Sequence, residues 1–212
     1  MKIQVAIDLL SLQQAMNLLE DVVPYIDIIE AGTPLIKQEG LKVIEVFKHQ
    51  YPDKQVFADM KTMDAGELEA EMAFQAGADF TTVLAVADDA TIKGAIAAAK
   101  KHNKALTADT VGVKDLEKRT RELEQMGVDY IEIHCGLDRQ AQGHCSWTEF
   151  QTIKEKIQTP LAVAGGINAD TIKQVEEAGA VIAAVGGAIY HANSPKDAAR
   201  QIRAKLNSVL LI

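Results

Sequence analysis

The sequence is poor in cysteine, and it contains no apolar stretch of about 18 residues, the length needed to cross a membrane. Its two cysteines, Cys135 and Cys145, are too few for a disulfide framework. Each directly follows a histidine, but their ten-residue spacing matches no common zinc site. The first residues lack the longer apolar segment of a signal peptide. We therefore expect a cytoplasmic protein without a membrane segment or a cysteine-based metal site.

Basic residues are also in deficit. The 212 residues include 22 lysines and arginines against 30 aspartates and glutamates, which gives a net charge of −8. This argues against a nucleic-acid partner, because such binding depends on clustered positive charge that neutralises phosphates. A small anion could still bind in a pocket lined with backbone amides. A chain of this length buries about 70% of its unfolded surface, so its core needs neither a metal nor a disulfide.

Eight short runs rich in β-branched residues alternate with eight segments of helical periodicity. The runs cover residues 3–7, 26–29, 55–58, 80–84, 105–108, 130–133, 161–164 and 181–185. The helical segments cover residues 12–22, 41–49, 67–76, 90–102, 116–126, 147–157, 169–178 and 195–206. This alternation predicts parallel strands with right-handed crossovers, and the count is that of an α/β fold of the (β/α)₈ TIM-barrel type. We expect one domain over residues 1–212. An open doubly wound sheet is the alternative, but no Gly-x-Gly-x-x-Gly motif follows the first run.

Ionisable residues stand where five of the predicted strands end. Parallel α/β folds gather the carboxyl ends of their strands around the ligand site. Unpaired buried charges are unfavourable, so packing alone does not explain these residues. We interpret them as parts of a functional site: Asp8, Glu30, Asp59, Asp109 and His134.

Asp59 and Lys61 are two residues apart, so both side chains point to the same side of an extended segment, and Asp64 follows in the loop. An acid, an ammonium group and a second acid shift one another's pKa values and can transfer protons or stabilise charge. A salt bridge that closes the top of a barrel is the alternative.

Glu30 and Asp59 lie at the ends of neighbouring strands. Their oxygens suit Mg²⁺, which usually binds one or two carboxylates together with waters and substrate oxygens. The alternative is a hydrogen-bonded pair of acids. His134 shares a strand face with Glu132. An imidazole in that position can transfer protons near neutral pH, or it can be structural.

Two glycine pairs occupy corresponding places near the end of the chain. Gly165 and Gly166 follow the seventh predicted strand, and Gly186 and Gly187 follow the eighth. These are the loops in which barrels bind phosphate through backbone N–H groups, and glycine lets the backbone approach the anion closely. Two tight turns are the alternative, since Gly-Gly is also a common turn signal.

The segment Asp59-Met60-Lys61-Thr62-Met63-Asp64 resembles the Asp-x-Lys-x-x-Asp motif of the orotidine 5′-monophosphate decarboxylase superfamily. The resemblance extends over essentially the whole chain. Residues 28–36 and 57–66 are most similar to the 3-hexulose-6-phosphate synthase branch, whose members are dimeric (β/α)₈ barrels. That resemblance implies an Mg²⁺-dependent aldol condensation of formaldehyde with D-ribulose 5-phosphate, with Mn²⁺ as a possible substitute.

The resemblance also implies roles for individual residues. Glu30 and Asp59 match the metal-site carboxylates, and His134 matches the position that handles protons. Asp64 matches an acid that the superfamily contributes to the active site of the neighbouring subunit. The remaining matches, at polar active-site positions, are Asp8, Lys61 and Asp109.

Three other functions are weighed against the synthase. The sibling branch, 3-keto-L-gulonate 6-phosphate decarboxylase, carries an arginine where this chain has Leu137, and Gly-Arg-Ser where this chain has Gly186-Gly187-Ala188. Ribulose-phosphate 3-epimerase uses two metal-binding histidines, whereas one predicted strand here ends in a histidine. A non-catalytic phosphate-binding protein would not need the Asp59, Lys61 and Asp64 set.

Overall fold

Eight parallel strands close into a barrel in the computed structural model of this chain, which describes residues 1–143 and 146–206. Neighbouring strands follow the chain order, and β1 pairs with β8. The strands are β1 (Lys2–Ile7), β2 (Ile28–Ala31), β3 (Gln55–Thr62), β4 (Phe80–Leu84), β5 (Ala105–Asp109), β6 (Tyr130–His134), β7 (Leu161–Ala164) and β8 (Ile182–Val185). The predicted barrel is therefore confirmed. Cys145 and its preceding histidine lie outside the described residues.

The described residues also form eleven helices and a 3₁₀ turn at Val23–Tyr25. The helices are α1 (Leu12–Val22), α2 (Thr33–Glu39), α3 (Lys42–Gln50), α4 (Gly66–Gln75), α5 (Asp89–His102), α6 (Leu116–Met126), α7 (Leu137–Gln140), α8 (Ser146–Ile153), α9 (Ile172–Glu177), α10 (Gly187–Tyr190) and α11 (Pro195–Leu206). A helix lies within or across each of the eight predicted segments. Helices α2, α7 and α10 were not predicted, because segments of four to seven residues are too short to show a helical period.

Aromatic and aliphatic side chains fill the amino-terminal half of the barrel. Phe57 stacks on Phe80 with ring centroids 5.8 Å apart, and Phe80 packs against Tyr130 at 5.7 Å. Ile28 and Ile182 complete this layer, and both are at the first position of their strands. This apolar plug closes one end of the barrel, so the inward-facing polar residues gather at the carboxyl end.

Two strands continue beyond the acid that was expected to end them. β2 runs through Glu30 to Ala31, and β3 runs through Asp59 and Lys61 to Thr62. Sequence reasoning treated the acids as the ends of these strands. Within the barrel the polar side chains turn inward while the backbone continues to pair. The pairing of β3 with β4 shifts register between Ala58 and Thr62, which is the irregularity that places Lys61 in the site.

No helix among the described residues combines the length and the apolar character that a bilayer crossing requires.

Candidate active site

A cavity of about 640 Å³ opens at the carboxyl ends of the strands. It brings together most of the residues predicted for the site, which are Asp8, Glu30, Asp59, Lys61, His134, Gly165, Gly166, Gly186 and Gly187. Asp109 lies against this set, fully buried, and contacts both Lys61 and His134. The prediction that the strand-end residues share one cavity with the glycine turns therefore agrees with the structure.

Lys61 is the ammonium group at the centre of the site. Its Nζ atom lies 2.8 Å from Oδ2 of Asp59 and 2.9 Å from Oδ2 of Asp109. Its backbone N–H donates to the hydroxyl of Thr82, and its φ angle of 46° is in the left-handed region, which is strained for a side chain of this size. Burial alone would lower the pKa of Lys61, but the two carboxylates raise it well above its usual value. Lys61 therefore stays charged at neutral pH.

The Asp59 carboxylate is held in place from several directions. The hydroxyl of Thr33 donates to its Oδ2 atom at 2.8 Å, and the hydroxyl of Thr82 donates to its Oδ1 atom at 2.9 Å. Thr33 begins α2, one of the three short helices that were not predicted, and Thr82 lies in the neighbouring strand β4. These contacts fix the carboxylate plane, so Asp59 presents its oxygens to the cavity in one orientation.

His134 forms a close pair with Asp109. Its Nδ1 atom lies 2.8 Å from Oδ2 of Asp109 and 3.8 Å from Oε2 of Glu132. Burial lowers the pKa of His134, but the hydrogen bond and charge of Asp109 outweigh it and raise the pKa to about 9. Burial also raises the pKa of Asp109, and the neighbouring His134 and Lys61 bring it well below its usual range. The resting site thus holds an imidazolium on an ionised carboxylate.

The remaining acids of the cavity repel one another. Burial, followed by the charge of Asp59, raises the pKa of Glu30 well above its usual value and raises that of Asp8. Burial and the charge of Asp109 raise the pKa of Glu132 to about 7. Such an excess of carboxylates around one cavity favours the binding of a divalent cation, which would relieve the repulsion.

Two sets of residues could hold that cation. Asp109, Glu132 and His134 each offer a ligand atom, and these atoms lie within 4.8 Å of one another. In that set, however, Oδ2 of Asp109 already accepts from both Lys61 and His134. Both oxygens of Asp59 accept hydrogen bonds as well, but Glu30 and Asp59 line the cavity, whereas Asp109 is fully buried. The all-oxygen donor set of Glu30 and Asp59 also suits a hard cation better than a set with an imidazole does.

The glycine turns after β7 and β8 line the same cavity as the acids. Gly165 has a φ angle of 101°, and a Cβ atom there would lie 2.3 Å from the carbonyl oxygen of Cys135. Gly166 has a φ angle of 75° and open space around it. Gly186 and Gly187 lead into the short helix α10. The turn after β7 therefore requires glycine, both for its backbone conformation and for its close approach to the loop after β6.

Asp64 is predicted for the site, but in this chain it does not line the central cavity. It is exposed on the loop after β3 and lines a second, shallow cavity with Glu67, Glu71 and Lys101. Large apolar side chains are exposed on the same loop and on α4, at Met63, Leu68 and Met72. Asp64 and Lys61 thus line different cavities of one chain, although only two residues lie between them in the sequence.

Sequence reasoning left two residues out of the predicted site. Glu132 lines the cavity beside His134. It lies two residues before His134 in β6, so its place on the same strand face could have identified it. Gln4 donates to Glu30 at 2.7 Å from a buried position in β1. Its only signal was a polar residue among apolar ones in the first strand.

Comparison with known proteins gives full-length matches. Residues 1–202 match the family model described as the orotidine 5′-phosphate decarboxylase / HUMPS family. The chain is 52% identical over 206 residues to 3-hexulose-6-phosphate synthase of Mycobacterium gastri, covering 97% of this chain and all of that one.

Solved structures agree with the sequence matches. The 3-hexulose-6-phosphate synthase from Salmonella typhimurium superposes with a TM-score of 0.95 at 42% identity, covering 97% of this chain and 98% of that one. The 3-keto-L-gulonate-6-phosphate decarboxylase from Vibrio cholerae superposes with a TM-score of 0.85 at 28% identity, covering 97% of this chain and 96% of that one.

Proposed function

The chain belongs to the orotidine 5′-phosphate decarboxylase / HUMPS family, and we propose that it works as a 3-hexulose-6-phosphate synthase. This is an aldehyde-lyase that joins formaldehyde to D-ribulose 5-phosphate to give D-arabino-hex-3-ulose 6-phosphate. The observation that carries the proposal is the full-length identity with a relative of that name, together with a cavity that holds the charged residues such a reaction requires. We also propose that residues 1–212 form a single domain.

The sugar phosphate would bind across the mouth of the barrel. The backbone amides of Gly165, Gly166, Gly186 and Gly187 would hold its phosphate, since such turns bind anions without adding positive charge. Asp8 lines the same cavity after β1, the strand that pairs with β8, and would accept hydrogen bonds from sugar hydroxyls. An acidic protein can thereby bind an anionic substrate.

We propose that Glu30 and Asp59 hold a divalent cation, Mg²⁺ in the first instance and Mn²⁺ as a possible substitute. Its charge would polarise the sugar carbonyl and make the adjacent C–H bonds more acidic. The carboxylate repulsion around Glu30 supports this assignment, because a cation would compensate it. Two hydroxyl groups already orient Asp59, and hydrogen bonds of this kind commonly fix carboxylates that bind metals.

His134 would move the proton. With Nδ1 paired to Asp109, its other ring nitrogen can accept a proton from C1 of the sugar once the imidazole is neutral. The electron pair of that C–H bond passes into an enediolate, whose negative charge Lys61 stabilises. C1 then attacks the carbonyl carbon of formaldehyde, and a protonated group in the cavity returns a proton to the new alkoxide.

We propose further that two copies of the chain assemble with Asp64 of each reaching the active site of the other. The exposed Met63, Leu68 and Met72 beside Asp64 support this arrangement, since apolar side chains clustered on one surface mark an interaction face. In a dimer, Asp64 would contact the bound substrate and add to the charge pattern around the neighbouring Lys61.

The sibling decarboxylase has the same fold and is the second candidate function. Leu137, which is two-thirds exposed at the cavity rim, cannot donate the proton that an arginine would supply to a decarboxylation intermediate. This favours the synthase, with a low decarboxylase activity as a side reaction.

Formaldehyde consumption with ribulose 5-phosphate, with and without a chelator, tests the proposal. We expect rapid consumption that the chelator stops and Mg²⁺ restores. In a parallel assay, 3-keto-L-gulonate 6-phosphate should react far more slowly. Consumption that is absent with ribulose 5-phosphate, or a faster reaction of the keto-gulonate, would contradict the synthase assignment.

A further inference from the structure

A buried amide contacts one of the two carboxylates assigned to the cation. Gln4 is 1% exposed and Glu30 is 7% exposed, and the Nε2 atom of Gln4 donates to Oε2 of Glu30 at 2.7 Å. Gln4 lies two residues before Ala6 in β1, on the same strand face, and Ala6 lines the cavity. Gln4 therefore lies directly beneath the site, inside the barrel.

We propose that Gln4 is a positioning residue that fixes the carboxylate of Glu30 for a divalent cation. This rests on the proposed function, in which Glu30 and Asp59 hold that cation. Among the described residues, Gln4 supplies the one hydrogen bond donated to the Glu30 carboxylate. Asp59, by comparison, is oriented by Thr33, Thr82 and Lys61. Without Gln4, Glu30 would have no comparable restraint.

The charges around Glu30 make such a restraint necessary. Asp8, Asp59 and Glu132 all repel its carboxylate, so an unrestrained Glu30 would turn away from the cavity where the ligand is needed. A hydrogen bond to one oxygen opposes this rotation and leaves the other oxygen for the cation. Partners of this kind behind a ligating group commonly change metal affinity about 10- to 100-fold.

The carbonyl oxygen of the Gln4 amide also supports this role. Its Oε1 atom is buried and has no hydrogen-bond partner among the described residues. A buried acceptor without a partner is unfavourable, and an apolar side chain would avoid that cost beside Ile28, the buried residue paired with Gln4 in β2. With Glu30 ionised, as a cation ligand is, a reversed amide would place Oε1 against the carboxylate, so the donor faces Glu30.

The experiment measures Mn²⁺ binding by electron paramagnetic resonance in the absence of substrate, on the full-length chain. In Gln4→Met, which keeps the length of the side chain and removes the donor, we expect the Mn²⁺ dissociation constant to rise about 10- to 100-fold. The kcat should fall and recover in part at saturating metal, while KM for ribulose 5-phosphate stays within about twofold of wild type.

Thr107→Val is the matched control. Thr107 is equally buried, lies on the opposite strand β5 two residues before Asp109, and its hydroxyl has no partner among the described residues. Its loss should leave Mn²⁺ affinity unchanged. If Gln4→Met does not fold, Gln4→Asn keeps the amide but shortens its reach and should show the same weakened binding.

Two results separate the possible failures. If Glu30→Gln loses Mn²⁺ affinity while Gln4→Met and Gln4→Asn bind as wild type does, the positioning role is wrong and the cation site stands. If Glu30→Gln itself binds Mn²⁺ as wild type does, the cation is not held by Glu30. Both the metal assignment and the role of Gln4 would then be wrong.

Discussion

The Nδ1 atom of His134 lies 2.8 Å from Oδ2 of Asp109, a carboxylate that is fully buried at the end of the neighbouring strand. Lys61 contacts the same oxygen. One carboxylate therefore orients the imidazole and holds the ammonium group, and it links the two residues that we assign to proton transfer and charge stabilisation.

Removal of the Asp109 charge should change the protonation of His134. In Asp109→Asn the negative charge is removed and the hydrogen bond is weakened. Burial should then bring the pKa of His134 from about 9 to near or below 6.5. Nuclear magnetic resonance titration of the imidazole in metal-free protein measures this. Glu122→Gln, a change on the surface helix α6, is the control. An unchanged pKa in Asp109→Asn would contradict the pairing.

The same pair should make stability depend on pH. Because the folded pKa of His134 is about 9 and its ordinary value is 6.5, its stabilising contribution is complete below pH 6.5 and is lost as pH rises through 9. A shift of this size corresponds to about 3 kcal/mol. Urea unfolding of wild type and His134→Gln between pH 6 and 10 measures the difference, which should shrink with rising pH. If the difference in unfolding free energy grows with pH, the raised pKa of His134 does not stabilise the fold.

Loss of the Lys61 ammonium group should affect both activity and stability. In Lys61→Met, the buried carboxylates of Asp59 and Asp109 lose their shared cation, which should destabilise the fold by about 3–5 kcal/mol at pH 7. Synthase activity should fall by a factor of at least about 10². The control is Lys42→Met, since Lys42 forms an exposed pair with Glu45 on α3 and its loss should change stability little. Equal stability of the two variants would contradict the prediction.

The turn after β7 offers a matched pair of glycine variants. Gly165→Ala and Gly166→Ala both place a side chain at positive φ, but only the first puts a Cβ atom 2.3 Å from the Cys135 carbonyl oxygen. Gly166→Ala should cost about 1–2 kcal/mol from backbone strain, and Gly165→Ala should cost more. Thermal unfolding and KM for ribulose 5-phosphate measure the effect. If both variants behave alike, the close approach at Gly165 is not important.

Mixed subunits test the position of Asp64. Asp64→Asn and Lys61→Met should each be nearly inactive alone, because every active site lacks one group. After subunit exchange, half of the dimers are mixed and one of their two sites is complete, so activity should recover to about a quarter of wild type. Gel filtration confirms the dimer. A mixture that stays inactive would place Asp64 in the site of its own chain.

The sequence was sufficient to predict the barrel and the side of it on which chemistry occurs. Alternating strands and helices give parallel pairing, and inward-facing residues near the carboxyl ends of those strands share one cavity, so Glu30, Asp59 and His134 could be assigned to one site. The extension of β3 was missed because its acids looked like a strand end. The short helix α2, which supplies Thr33 to Asp59, was missed because seven residues carry too little periodicity.

What the sequence by itself determined was the order of strands, the positions of the charges along them and the glycines of the turns after β7 and β8. Only the tertiary structure decided which charges meet. Asp109 contacts Lys61 although 48 positions separate them in the sequence, and Gln4 in β1 contacts Glu30 in the neighbouring strand β2. Spacing along one strand reveals neighbours such as Asp59 and Lys61. Contacts between strands depend on the register of barrel closure and on the shift in β3, and no local pattern encodes those.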